Sequence, residues 1–340
     1  MSGAGCSLSH TYHAAPWERF WRANVSSLAG HTFIWERGCT ALMRDQPLID
    51  EWLSVAAARL EDSSVPWHHR TMSYFDVNDC HGKHIAKEPI EPLVGMLRHP
   101  LFHCQKMQKR AGEGRSLLNT PATRQWLEAH HGGSEQRMLF EDFRGAVNTS
   151  HLLPAAVPAA FHGARPRAIM FDVGASTYND GDGGASMSWF VETYRRLGIT
   201  FERFFAWEKQ IHAPQPLFSK MPVEVLDSLS YFNIPIEVEA GARHNPLRTL
   251  KAVARPSDFV VLKVDFDADV VEQALVQQIL DDSVLTSLVD ELYFEHHVYD
   301  IALALYKYGP KGEPKGPRLQ DSYELFSKLR EAGIRAHSWV

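Results

Sequence analysis

The run VVLKVDFDAD, residues 260–269, is apolar and then abruptly acidic, with Asp265, Asp267 and Asp269 following Val260, Val261, Leu262 and Val264. Carboxylates in that position suit three chemistries. Asp265 and Asp267 are hard oxygen ligands that could grip Mn2+ on a sugar-nucleotide diphosphate. Asp265 could instead take the proton of a hydroxyl nucleophile, or the acids could be a solvated strand end. A second group closes the run DELYFEHHV, where Glu295 precedes His296 and His297. An imidazole from that end could meet Asp265 over one substrate, and strand alternation turns only one of the two adjacent histidines inward. Asp265 and His296 or His297 are therefore the candidates for a base, and Lys263 stands at the same strand end as Asp265.

These groups need a scaffold, and the rhythm of the second half supplies one. AIMFDV (168–173) is a continuous apolar strand, SMSWFVETYRRLG a helix stopped at Gly198, FERFFAW a second strand and IPIEVEA (234–240) a third. NPLRTLKAVA reads as a helix, DFVVLKVD as the fourth strand and DVVEQALVQQIL as a helix. ELYFEHHV is the fifth strand, SYELFSKLREAGI a helix and RAHSWV a sixth strand. Repeated strand-helix alternation with apolar strands predicts an α/β doubly wound, parallel sheet of order 3-2-1-4-5, whose ligands bind at the carboxyl ends of the strands. Two of those ends fit an adenosine-type ligand. The small-residue turn Gly174, Ala175, Ser176 after Asp172 lets backbone N–H groups approach it at the positive end of a helix. Glu208, closing the second strand, can accept both ribose hydroxyls, although it lies farther along than the roughly 20 residues usual for a dinucleotide site.

Residues 1–165 read as a mainly helical cap. Trp17, Phe20, Trp21, Val25 and Leu28 recur at helix spacing, and Pro47 opens a helix with an apolar face at Leu48, Trp52, Val55 and Ala56. RAGEGRSLLNTP (110–121) and the Pro/Ala-rich stretch 151–166 look like loop or linker, so the boundary falls near 165, with 166–340 as the ligand-binding domain. The chain has 340 residues, 44% of them hydrophobic and 22% charged, with a formal charge of −6. That balance fits a globular protein whose ligand is not nucleic acid. No signal-like start or membrane-length apolar run is present, and the expectation is a soluble, cytoplasmic protein. The four cysteines, Cys6, Cys39, Cys80 and Cys104, are too sparse for a disulfide scaffold and read as free thiols. The neighbouring His81, His84, His99 and His103 complete no zinc-ligand spacing, and no bound metal is expected.

DVGAS after the first strand, Glu208 closing FFAWE, DFVVLKVDFDAD and DELYFEHHV together resemble the FkbM-type methyltransferases, over about residues 165–340. The match is nearest to a variant group of plant and protist sequences whose end reads like LREAGIRAHSWV. The resemblance implies a class I methyltransferase-like (Rossmann-like) fold. It also implies S-adenosyl-L-methionine held by Asp172, Gly174, Ala175 and Ser176 with Glu208 on the ribose, and an O-methylated small-molecule or glycan acceptor near Lys263, Asp265 and Glu295 to His297. Three features depart from the family. Asp267-Ala268 stands where a Glu-Gly pair is common, the first loop lacks a second close glycine, and no seventh, antiparallel strand follows the sixth. Two alternatives stand beside this reading: a metal-dependent glycosyltransferase using Asp265 and Asp267, and a non-catalytic binding protein on the same fold. A nicotinamide enzyme fits less well because the three-glycine fingerprint is missing.

Overall fold

A computed structural model describes residues 9–29, 36–79, 81–97, 99–100, 149–156, 166–179, 187–298 and 316–339. The linker 110–121, His103, Cys6, Cys80, Cys104, the Cys39 side chain and the Asp/Gly-rich loop 180–186 lie outside what is described. So does the proposed boundary at 165 itself.

The second half is a six-stranded sheet, every pairing parallel. Its strands are β4 (Ala168–Val173), β5 (Phe201–Trp207), β6 (Leu229–Phe232), β7 (Phe259–Val264), β8 (Glu291–Phe294) and β9 (Arg335–Ser338), in spatial order β6-β5-β4-β7-β8-β9. This is a Rossmann-like α/β arrangement, and its strand order reverses between β4 and β7. Alternation along the strands builds two cores. Ile169, Phe171 and Val173 face one side with Phe205, Trp207, Leu262 and Val264, while Ala168, Met170, Phe204 and Ala206 face the other. On the first side lie α7 (Pro246–Val253), α8 (Asp269–Asp281), α9 (Ser283–Leu288) and α10 (Leu319–Glu331). On the second lie α4 (Met187–Arg196) and α6 (Val223–Ser228), α5 (Pro214–Phe218) joining β5 to α6. Helices on both faces are what strands buried on both faces require.

Two expectations need correction. The third strand is Leu229–Phe232 and not 234–240, because Asn233 turns its amide onto the carbonyls of Glu208 and Gln210 at 2.7 and 2.6 Å and Pro235, lacking an N–H, cannot extend a ladder. The first half is also not simply helical. Besides α1 (Pro16–Ala29), α2 (Glu36–Arg44) and α3 (Gln46–Glu61) it forms an antiparallel sheet of β1 (Ser9–His13), β2 (Ser73–Asn78) and β3 (His84–Ile90). Strict alternation in SYFDVN buries Ser73, Phe75 and Val77 and leaves their neighbours half-buried, the period of two that a strand with one face on the core requires. Phe20, taken as core, is 42% exposed, and α3 buries Ile49 rather than Leu48.

Residues on the two sides of 165 share one core. Trp21, Trp52 and Leu93 belong to the same buried cluster as Ile169, Leu262 and Tyr323. A buried ionic chain ties them further. Arg330, fully buried, donates from Nη2 to Glu91 Oε1 at 3.0 Å, from Nη1 to the Tyr12 hydroxyl at 3.2 Å, and lies 3.7 Å from Glu18. His337 bridges Glu91 at 2.8 Å and Glu291 at 2.7 Å, and Glu291 accepts from Ala155 N at 2.9 Å.

This chain makes folding pH-dependent at both ends. Burial works against charge on both His337 and Glu91, but the carboxylates of Glu91 and Glu291 outweigh it at His337, and the imidazolium of His337 with the guanidinium of Arg330 outweighs it at Glu91. The imidazole is held above its ordinary value and the Glu91 carboxyl down at about 2. A raised histidine contributes stability that is complete below about pH 6.5 and is lost as pH climbs through the folded value. A depressed carboxylate contributes stability present above pH 4.5 and lost toward pH 2. For Glu91 the interval is worth about 3 kcal/mol. Urea unfolding across a pH series should therefore show losses toward pH 2 and above about pH 6.5 from this pair. In His337→Gln the alkaline loss should shrink to the part carried by the buried carboxyls of Asp265 and Asp290, which burial raises, and a loss undiminished in the variant would remove His337 as a cause.

Candidate functional site

At the carboxyl ends of β4, β5, β6 and β7, beside the reversal of strand order, lies an open crevice of about 470 Å3. Each wall follows from what ends a strand. Gly174 leaves β4 with φ +97°, and a Cβ built on it would sit 1.6 Å from the backbone oxygen of Asp265, so only glycine lets the ends of β4 and β7 approach this closely. Ala175 is buried under the turn and Ser176 continues it with φ 45°. The amides of this turn are engaged inside the protein. Gly174 and Ala175 donate to the Trp207 carbonyl at 2.9 and 3.0 Å, and Ser176 donates to Glu208 Oε2 at 3.2 Å. The expectation that these N–H groups meet a ligand is thus corrected: the turn gives close backbone approach, and it fixes Glu208.

Glu208 stands at the end of β5, partly exposed to the crevice, with Oε1 accepting from Gln210 N at 2.6 Å. Each carboxylate oxygen has a second lone pair left for a hydroxyl donor. Tyr231, on β6, donates to the Ser176 carbonyl at 3.0 Å and braces the turn from the far side. Ile234, Pro235 and Ile236, the stretch misread as a strand, form one apolar wall of the crevice, and Phe266 and Val271 are apolar lining from the β7 side. Their alternation gave a strand-like signal, and only Asn233-Ile-Pro, a turn-favouring sequence, marked the end of β6.

The floor is ionic. Lys263 Nζ, 2% exposed as a residue, lies 3.1 Å from Asp172 Oδ1, 3.3 Å from Asp265 Oδ2 and 3.0 Å from the Gly174 carbonyl. Burial lowers the Lys263 pKa, but Asp172 and Asp265 outweigh it and hold the ammonium charged. Burial raises the Asp265 carboxyl, Lys263 opposes this and Glu295 adds to it, leaving Asp265 above the ordinary carboxylate range. A carboxyl raised toward neutrality is matched to accepting a proton at working pH. Trp339 Nε1 donates to Asp265 Oδ2 at 3.1 Å, a contact that no spacing in the sequence announces. Asp172, by contrast, is 1% exposed and serves the ion pair with Lys263 rather than lining the crevice.

The two histidines part company, as strand alternation requires, but neither lines the crevice. His296 is buried and faces α10, its Nδ1 2.5 Å from Ser322 Oγ. His297 turns toward the acids, Nδ1 2.5 Å from Asp269 Oδ1 and Nε2 3.1 Å from Glu295 Oε2. An imidazole meeting Asp265 over one substrate is therefore not the arrangement found. Nor is Asp265-x-Asp267 a metal clamp: Asp265 is occupied by Lys263 and Trp339, and the groups of described residues able to hold a cation include Asp267 but not Asp265. Among the described residues no helix is long and apolar enough to cross a membrane.

The crevice thus joins Gly174, Ala175, Ser176, Glu208, Lys263 and Asp265 from three adjoining strands, and it leaves His296, His297 and Asp172 outside its lining. Compared with known proteins, the chain matches no family model, no curated protein and no solved structure at a significant level.

Proposed function

We propose that the crevice binds S-adenosyl-L-methionine and that the protein is an S-adenosylmethionine-dependent methyltransferase acting on a hydroxyl of a small molecule or glycan. The observation that carries this reading is Glu208 beside the Gly174 turn, at the switch point of a parallel sheet and in one crevice with Asp265. An acidic side chain at the end of the second strand suits a ribose diol. The apolar wall of Ile234, Pro235 and Ile236 suits an adenine face. Charge points the same way. The turn's amides are committed and Lys263 is paired with Asp172 and Asp265, so of the remaining lining charges the carboxylates of Glu208 and Asp267 outnumber the ammonium of Lys209 and favour a ligand bearing the positive charge of a sulfonium.

The chemistry asks little of side chains. The acceptor oxygen attacks the methyl carbon in line, the carbon–sulfur bond breaks with its electron pair passing to sulfur, and the hydroxyl proton passes to Asp265. The products are the methyl ether and S-adenosylhomocysteine. Positioning supplies much of the rate in such a transfer. Trp339 and Lys263 fix Asp265 on the acceptor side in this scheme.

Glu208→Ala tests the reading. Losing charge-assisted hydrogen bonds to the ribose should weaken S-adenosylhomocysteine binding by about 1–3 kcal/mol in calorimetric titration. Affinity equal to that of the unaltered protein would take Glu208 out of the site.

A further inference from the structure

We infer that Asp269, Glu272 and His297 form a site for a first-row divalent cation at the edge of the crevice, with Glu295 holding the imidazole ring. One oxygen or nitrogen from each of the three lies within 4.8 Å of the other two. Asp269 and Glu272 are three residues apart in the first turn of α8, which sets them on one face of the helix. His297 reaches them from the segment after β8. Two ligand atoms each about 2.1 Å from one ion are at most about 4.2 Å apart, so small side-chain rotations close the set.

Proximity is not the whole case. Glu272 is 1% exposed, and its Oε1 accepts from Phe266 N at 2.6 Å, yet its Oε2 is buried with no hydrogen-bond partner. A buried carboxylate oxygen without a partner is costly. The positive end of α8 accounts for acids in its first turn, but it supplies no partner to that oxygen, and a cation does. His297 already has the geometry that orients metal-bound imidazoles. Nδ1 is turned to Asp269 at 2.5 Å while Nε2 is held by Glu295 at 3.1 Å, the outer carboxylate that fixes ring orientation. Asp267, grouped with Glu295 and His297 within the same 4.8 Å and lining the crevice, stands on the open side. One imidazole with two carboxylates favours an ion between manganese and zinc over magnesium or calcium, which prefer all-oxygen shells.

This site stands whether or not the crevice takes a sulfonium ligand, and its test uses none. The full chain, stripped with a chelator and desalted, is titrated by calorimetry with manganese chloride and with zinc chloride, and in parallel with calcium chloride and magnesium chloride. Expected is one ion per chain for at least one of manganese and zinc, with Glu272→Gln and His297→Ala each weakening that binding about 10-fold or more. Without metal, Glu272→Gln should unfold in urea no earlier than the unaltered protein, because it removes a buried charge. Should His297→Ala fail to fold, Asp269→Asn carries the same expectation. Absence of binding by both manganese and zinc, binding unchanged in the variants, or preference for calcium or magnesium over both would overturn the assignment.

Discussion

Gly174→Ala is expected to abolish ligand binding in the crevice and to destabilise the fold by about 4–5 kcal/mol, the upper end for a single substitution. Two costs combine. An L-residue held at φ +97° is strained by roughly 1–2 kcal/mol. The larger cost is the overlap of the new methyl with the Asp265 carbonyl at 1.6 Å and its carbon at 2.5 Å, which forces the ends of β4 and β7 apart. That movement carries Asp265 and Lys263 with it, and a misplacement near 1 Å costs about 100-fold at a positioning site. Urea unfolding and titration with S-adenosylhomocysteine read the two parts separately. An alanine variant with unaltered affinity would mean that the approach of these two strand ends does not shape the site.

The second large effect lies far from the crevice. Arg330→Met should destabilise the protein by about 3–5 kcal/mol, because removing one partner leaves buried charge uncompensated. Glu91 and Glu18, 5% and 1% exposed at their side chains, would face each other across an apolar gap with His337 as the remaining cation nearby. Adding Glu91→Gln should recover part of the loss, since the stranded charge is removed with its partner. A double variant as unstable as the sum of the singles would show that packing of the guanidinium, not its charge, is what the core needs.

The elements that positioned the crevice were largely legible, and for a physical reason. β4 and β7 are buried throughout and β5 from Phe204 to Trp207, so their sequences are mainly apolar, interrupted by Asp172, Lys263 and the exposed Glu202-Arg203. Near the ends of those strands stand Gly174, Glu208, Lys263 and Asp265. β6 was misplaced because it is an edge strand of half-buried residues, while the next stretch, Ile234 to Val238, alternates more cleanly yet lies in a loop. The antiparallel sheet escaped notice because β1 and β3 are rich in histidine, lysine and glutamate and only β2 alternates strictly. Pairings across the fold left no local mark. Arg330 meets the Glu91 carbonyl 239 residues away, and Trp339 meets Asp265 at a separation of 74. The histidine pair was half legible: alternation required them to diverge, but which neighbour each would meet depended on α8 and α10. The cation site inferred from Glu272 had no spacing to announce it, since its members come from a helix start and a distant strand end.

Calorimetric titration of the unaltered protein with S-adenosylhomocysteine, and in parallel with NAD and with UDP-glucose plus manganese, tests the central claim most directly. Stoichiometric, micromolar binding of S-adenosylhomocysteine that is weakened in Glu208→Ala is the predicted result. No binding of S-adenosylhomocysteine, with NAD or the sugar nucleotide bound in its place, would contradict it.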